Sequence, residues 1–373
     1  MAGPCAGQTF CCPLAPCRPA DLLSVQSVQS PDHAHAVPPA HYGGDQAGLI
    51  CGFLFGADGL GQPLDSAAAA RWLEGAPGEA RGQFAWLHFN LAQVAAERWL
   101  ARHAGLAPAF FEMLHEGVAS TRIERVEQAL NAVINDVHFD FELDASEIST
   151  LWISVDQRLV VTARRQPLRS VDRLHVAIGR GDAIRSTADL LERLMRTQAD
   201  VLVGIVRTAT ARVDRIEDEL LAGRLVARRA RLGVLRRVLV RLQRLLAPEP
   251  AALFRLLQTP PRWMAAQDVQ ELRAATEEFS VVLHDMQLLH ERIKLLQEEI
   301  AASVNEDNNR SLYVLTVVTV LALPINILAG LFGMNVGGIP LAESPHGFWI
   351  LLALVGGFTV VALWLALRQG KDR

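Results

Sequence analysis

The pattern of apolar and polar positions changes character along the chain. Within residues 48–185, short runs rich in β-branched and aromatic residues occur at 49–55, 83–89, 122–126, 133–139, 148–155 and 159–163, and read as strands. Gly59, Gly61 and Pro63 supply turn chemistry after the first run, and Asp65 or Ser66 is placed to cap a short helix running through Trp72. Residues 91–104 show the three-and-four spacing of an amphipathic helix. After Ser186 the helical period takes over: Leu190, Leu194, Val201, Ile205, Val213, Ile216 and Leu220 form one apolar stripe. A second helix is expected at 225–246, within a helical segment covering 186–264. It carries Arg228, Arg229, Arg231, Arg236, Arg237, Arg241 and Arg244, read as a solvated face opposite Glu217, Asp218 and Glu219. Pro260 and Pro261 break the pattern, and a last long helix is expected from Ala265 with no further proline until Pro324.

The final third departs from the soluble pattern. Residues 312–332 contain no charge over about 20 positions, enough to cross about 30 Å of hydrocarbon at about 1.5 Å per residue. Residues 348–367 form a second such run. The sequence therefore predicts an α+β domain at 48–185, long helices, and two C-terminal transmembrane helices. The first span would continue a stalk over 265–334, with a loop at 335–347 and a tail at 368–373. Arg310 precedes the first span and Arg368, Lys371 and Arg373 follow the second, whereas the loop has no Lys or Arg. The positive-inside rule then puts both termini and the α+β domain in the cytoplasm and the loop outside.

Composition narrows the function. A formal net charge of −4 over 373 residues lacks the basic excess of a nucleic-acid binder, so no nucleic-acid partner is expected. Four of the five cysteines, Cys5, Cys11, Cys12 and Cys17, lie in a Pro-, Ala- and Gly-rich stretch, residues 1–47, read as a disordered arm without the pattern of a signal peptide. The fifth, Cys51, sits in the first strand, so the count describes no disulfide framework and points to a reducing compartment. No nucleophile–base arrangement or phosphate loop marks an enzyme, and no cofactor is expected.

At the end of the first span stands Gly333-Met334-Asn335, continuing Val336-Gly337-Gly338-Ile339-Pro340. Gly-Met-Asn directly after the first of two C-terminal spans resembles the signature of the CorA family of metal-ion transporters, and the continuation is similar to its zinc-transporting, ZntB-like branch. The resemblance covers essentially everything after residue 47. It implies a funnel-shaped homo-oligomer, a pentamer, in a bacterial inner membrane, with Gly333, Met334 and Asn335 as selectivity motif. It also implies a pore lined by Asn309, Leu312, Leu315, Thr319, Leu323, Asn326 and Gly330.

Physical chemistry is compatible with that expectation. Two spans enclose no aqueous path, so a pore needs several copies around an axis. Each copy then contributes one Asn335 amide, able to accept hydrogen bonds from the water shell of a divalent cation. Asn326 within hydrocarbon needs water or a partner, and Leu312, Leu315 and Leu323 can form a constriction that gates by dewetting. In the loop, Glu343 and His346 are placed to draw cations to the mouth. Neither span holds Cys, His, Asp or Glu, so no protein metal ligand is assigned there. An interior-negative potential of about 100 mV favours entry of a divalent ion by roughly 4–5 kcal/mol, which makes uptake, with proton coupling open, the expected direction. Zn²⁺ is the expected substrate. A Mg²⁺/Co²⁺ channel of the CorA type, and a membrane-tethered coiled-coil sensor or scaffold that conducts nothing, are the alternatives.

Overall fold

The computed structural model describes residues 44–75, 82–116, 121–144, 146–221, 228–334 and 344–371. Seven strands, β1 (Leu49–Phe55), β2 (Gly61–Pro63), β3 (Phe84–Asn90), β4 (Arg122–Val126), β5 (Ala129–Val137), β6 (Ile148–Val155) and β7 (Leu159–Arg164), form one sheet in the order β2-β1-β3-β7-β6-β5-β4. Only β3 and β7 pair in parallel. Helices α1 (Ser66–Glu74), α2 (Val94–His103) and α3 (Pro108–Glu116) cover one face, and α4 (Arg169–Gly179), α5 (Thr187–Leu221), α6 (Arg228–Leu246), α7 (Pro248–Gln258) and α8 (Ala266–Phe332) build the core on the other. A last helix, α9, spans Gly347–Lys371.

Covering both faces explains why the central strands read as continuous apolar runs rather than alternating ones. In β3, Phe84 and Trp86 face the long helices while Ala85, Leu87 and Phe89 face α1–α3, and all five are buried. The one parallel pair is pinned by a polar network. The Trp86 indole N–H and the His88 Nδ1 each lie 2.8 Å from Thr162 Oγ1, and Arg164 Nε donates to His88 Nε2 at 2.8 Å. That donation leaves Nε2 as an acceptor, so His88 is the neutral Nδ1–H tautomer. Burial, and then the Arg164 charge, hold its pKa well below the usual value.

Two expectations shift. The strand expected at 133–139 is β5, which begins at Ala129 and ends at Val137, and the helix expected at 91–104 is α2, Val94–His103. The acidic residues near the end of α5 also meet different partners. Glu219 pairs with Arg231 at 2.9 Å, but Glu217 and Asp214 bind Arg292 of α8, Asp214 at 2.7 Å. These pairs, with Ser186 bonded to Asp268, show α5 and α8 running parallel. Arg231 meeting Glu219 and Arg236 reaching Gln297 place the first half of α6 beside the far ends of the α5 contact and of the α8 seam.

α8 is 67 residues long, about 100 Å at 1.5 Å per residue. Its buried positions Leu272, Phe279, Met286, Ile293 and Ile300 recur every seven residues, with Ala275, Val282, Leu289 and Leu296 between them. This is the a/d pattern of a coiled-coil seam, and it packs on α5, α6 and α7. Among the described residues no α8 position beyond Ile300 is buried.

The docking of α7 buries a carboxyl group. Glu249 is 0 % exposed, one oxygen accepting a 3.4 Å hydrogen bond from Gln198 Nε2 and the other, Oε1, having no partner. Burial, and then the nearby Asp136 carboxyl, raise its pKa well above 4.5, and Asp136 itself is pushed up to about 6 by burial. The folded state thus holds a proton on Glu249 that the unfolded chain releases near its ordinary value, so this group's contribution to stability falls as pH rises above about 4.5. Glu249→Gln copies the neutral acid and removes that loss. The melting temperature of the variant relative to the parent is therefore expected to climb between pH 5 and pH 8. A difference that stays flat with pH would show that Glu249 is ionised in the fold.

Candidate cation pathway

In its last part α8 is joined by α9. The half-buried positions of α8 are Tyr313, Val317, Leu321, Pro324, Ile325 and Leu328, and those of α9 include Leu351, Val355 and Thr359, four residues apart. These two stripes are the contact faces of the pair. Leu312, Leu315, Thr319, Leu323, Asn326 and Gly330 are all exposed. At about 100° per residue they point roughly opposite to the α9 face. The pair thus leaves bare the face on which the family resemblance places a pore lining.

That face is mainly apolar with a sparse polar content. Leu312, Leu315 and Leu323 are 60, 63 and 58 % exposed. The Thr319 hydroxyl donates to Leu315 O at 2.8 Å, so its oxygen remains an acceptor on the surface. Asn326 follows Pro324, through which the helix runs uninterrupted. A side chain at Gly330 would meet nothing within 4 Å, so that glycine keeps the face shallow without being required by close packing in a single chain. Asn309 lies one turn before Leu312, exposed, at the edge of the same face.

The end of the helix is closed by Gly333, whose N–H bonds Ala329 O at 2.9 Å with a right-handed φ of −83°. Met334 is exposed. Asn335 and Glu343 lie outside the described residues, as does the Cys- and His-containing arm. His346 is exposed beside the start of α9, its N–H 3.4 Å from Ser344 Oγ. Among the described residues there is no group of three His, Cys, Asp or Glu side chains placed to hold a metal ion. The described part of this face offers neutral oxygens and apolar surface.

A functional feature that the sequence reading passed over lies lower on α8. Val281, Leu288 and Leu295 are 60, 56 and 63 % exposed and stand seven residues apart. Their recurrence at an interval of seven is the signal by which the sequence could have shown them. The same interval leads through Ala302 to Asn309, Thr316, Leu323 and Gly330.

One segment of α8 is long and apolar enough to cross a membrane, with mean hydropathy 2.3 over its best window and none of that window buried. In α9 the described apolar stretch is Gly347–Ala362. Comparison with known proteins accords with this architecture. The profile of the CorA-like Mg²⁺ transporter protein family matches residues 81–368. The chain belongs to the CorA family. It is similar to the divalent cation transporter CmaX of Pseudomonas aeruginosa, 28 % identical over 88 % of this chain and 98 % of that protein. It also resembles the zinc transport protein ZntB of Pectobacterium atrosepticum, 24 % identical over 65 % of this chain and 75 % of that one. The structure of full-length CmaX superimposes with a TM-score of 0.73 at 26 % identity, covering 87 % of this chain and 98 % of that one. The CorA magnesium transporter of Methanocaldococcus jannaschii shares the fold, with a TM-score of 0.68 at 19 % identity over 85 % of this chain and 97 % of that one. As a CorA-family protein the chain is a divalent-cation transporter and not an enzyme.

Proposed function

We propose that several copies of this chain, five by resemblance to the family, surround an axis along α8 and pass divalent cations, Zn²⁺ foremost, inward across a bacterial inner membrane. In this reading α8 and α9 both cross, the two termini and the α/β body are cytoplasmic, and the short external segment carries Asn335, Glu343 and His346. Gly333, Met334 and Asn335 form the selectivity motif at the outer mouth. Asn309, Leu312, Leu315, Thr319, Leu323, Asn326 and Gly330 line the path below it, and Glu343 and His346 draw cations toward it.

The observation that carries the proposal is the bare face of α8. An amide at Asn326 and the Thr319 hydroxyl lie opposite α9, where a lone pair of helices would leave them in hydrocarbon. Burying an unpaired amide there costs on the order of several kcal/mol, and copies meeting around a wet axis remove that cost. The exposed column Val281–Leu288–Leu295, lower on the same helix, supplies further apolar area for the meeting of copies.

Zinc is favoured by the ZntB relatives and the Gly337-Gly338 pair after Asn335. A specific observation favours Mg²⁺ as second reading: the spans lack the Cys and His that zinc prefers. Flux into liposomes containing the purified protein separates the two. The zinc reading expects Zn²⁺ entry that an inside-negative potential accelerates and that excess Mg²⁺ reduces little. Potential-driven Mg²⁺ entry with Zn²⁺ excluded would replace it, and no cation entry under any gradient would leave the non-conducting scaffold. Repeating the Zn²⁺ run with an imposed pH gradient tests proton coupling.

A further inference from the structure

The stalk part of α8 is flanked by charge of opposite sign on its two sides. Glu278, Asp285 and Glu299 are exposed, three or four positions from the Val281–Leu288–Leu295 column. They lie on the side where Arg292 turns to Asp214 and Glu217 of α5. None of the three carboxylates forms an ion pair among the described residues. The other side holds Arg273 and Lys294, both exposed, and beyond them lies α6, whose Arg236 reaches His290 and Gln297 at 3.4 and 3.2 Å.

Arg229, Arg236, Arg237, Arg241 and Arg244 are exposed and fall within an arc of about 140° on α6, at about 100° per residue. Four of them, with Gln297, line an open groove between α6 and α8. Arg237, Arg241 and Arg244 form neither a hydrogen bond nor an ion pair among the described residues, and Arg241 senses Asp144 only from beyond ion-pair distance. Guanidinium groups are suited to carboxylates, and this chain offers these three none.

The acidic and basic sets stand at one level along the stalk. Arg231 near the start of α6 meets Glu219 near the end of α5, and Glu249, just past the end of α6, meets Gln198 lower on α5. So α6 descends beside the pair that α5 and α8 form. Its height is fixed where Arg236 touches His290 and Gln297. At about 1.5 Å per residue, Arg244 lies about 12 Å below that point, level with Asp285, and Arg229 about 10 Å above it, level with Glu299.

Copies related by rotation about an axis meet their neighbours at equal height, and a ring of more than two joins two different faces of each chain. With the exposed column turned to the axis, the α6 side of one copy faces the α5 side of the next. Glu277, Glu291 and Glu298 line the other edge of the column, so that approach brings carboxylates of both copies together. The arginines of α6 supply the opposite charge at the right height. A flat lipid surface fits them less well, because they are spread over about 22 Å along a helix that stands beside the stalk.

We propose that the arginine face of α6 docks on the acidic flank of α8 in a neighbouring copy, with Arg241 and Arg244 toward Asp285 and Arg229 toward Glu299. This rests on the reading that several copies surround α8, and it names the two faces that close the ring.

Light scattering on the full chain in detergent tests it, beginning with the parent, whose appearance as single chains would sink the assembly reading itself. Given an oligomeric parent, Arg237→Glu/Arg241→Glu/Arg244→Glu and Asp285→Arg/Glu299→Arg should each raise the dissociation constant about tenfold or more, with helical content by circular dichroism unchanged. The chain carrying all five substitutions should regain the parent mass. The two sets lie on opposite sides of their own α8, so recovery requires contact between copies. Either partial variant assembling like the parent, or no recovery in the combined one, would overturn the pairing. So would an α6 variant of parental mass that has lost a melting-temperature rise given by phosphatidylglycerol, which would assign the face to anionic lipid. The parent alone gives a check free of folding effects. Raising salt from about 0.1 to 1 M shortens the Debye length from about 10 to 3 Å and should weaken its assembly about tenfold, whereas indifference to salt would refute the pairing.

Discussion

Replacing Asn335 with alanine is expected to cut divalent-cation flux at least tenfold while leaving the assembled size of the protein unchanged. The residue stands three positions past Phe332, where α8 ends and Gly333 closes it. In the proposed pathway its amide oxygen accepts hydrogen bonds from the water shell of an arriving ion, and alanine supplies none. One such bond is worth about 0.5–1.5 kcal/mol net. Every copy around the axis loses it at once, so the five copies of the proposed assembly forfeit more than the roughly 1.4 kcal/mol that corresponds to a factor of ten. Stopped-flow entry into liposomes, with elution volume as control, measures the effect. Undiminished flux would remove Asn335 from the pathway, and flux lost together with assembly would give it a structural role instead.

Introducing charge into the exposed column of the stalk should have an effect of comparable size on assembly. In Leu288→Glu/Leu295→Glu, two side chains that contribute nothing to the core of their own chain become ionised. If copies meet along this column, each leucine buried there is worth up to about 1.5–3 kcal/mol, and each glutamate brings a like charge against its counterparts. Light scattering in detergent is expected to show the parent as an oligomer and the double variant as single chains. Circular dichroism should report the same helical content in both, because the buried seam from Leu272 to Ile300 lies elsewhere on the helix. An unchanged mass would place the interface between copies on another face.

Much of this architecture can be read from the residues alone, and the exceptions have physical causes. β1, β6 and β7 are apolar runs bounded by turn residues, and their edges are nearly as expected. The start of β5 was misplaced because the turn before it carries no Gly, Asn or Asp. The chain reverses at Glu127, which takes a φ of 56°, a conformation bulky residues seldom adopt. Helices α3, α4 and α7 were passed over singly for a different reason. Each has 9 to 11 residues, as short as α1 and α2, which were read because a capping Asp65 and a clear three-and-four spacing marked them. Pro108 and Pro248, each the first residue of its helix, were the available markers. On α8, the stripe from Leu312 to Gly330 was legible as one helix face because its members recur at helical spacing in an apolar run.

The unbroken course of α8 from Ala266 to Phe332 has a mechanical corollary. A stiff rod of about 100 Å magnifies any pivoting at its lower end. A lean of about 3° at Ala266, with the rod free to swing, carries the tip sideways by about 5 Å, comparable to the breadth of a side chain. Opening and closing the outer mouth thus needs no unfolding and no rearrangement within the bilayer, only a small change in how the rod is seated among α5, α6 and α7.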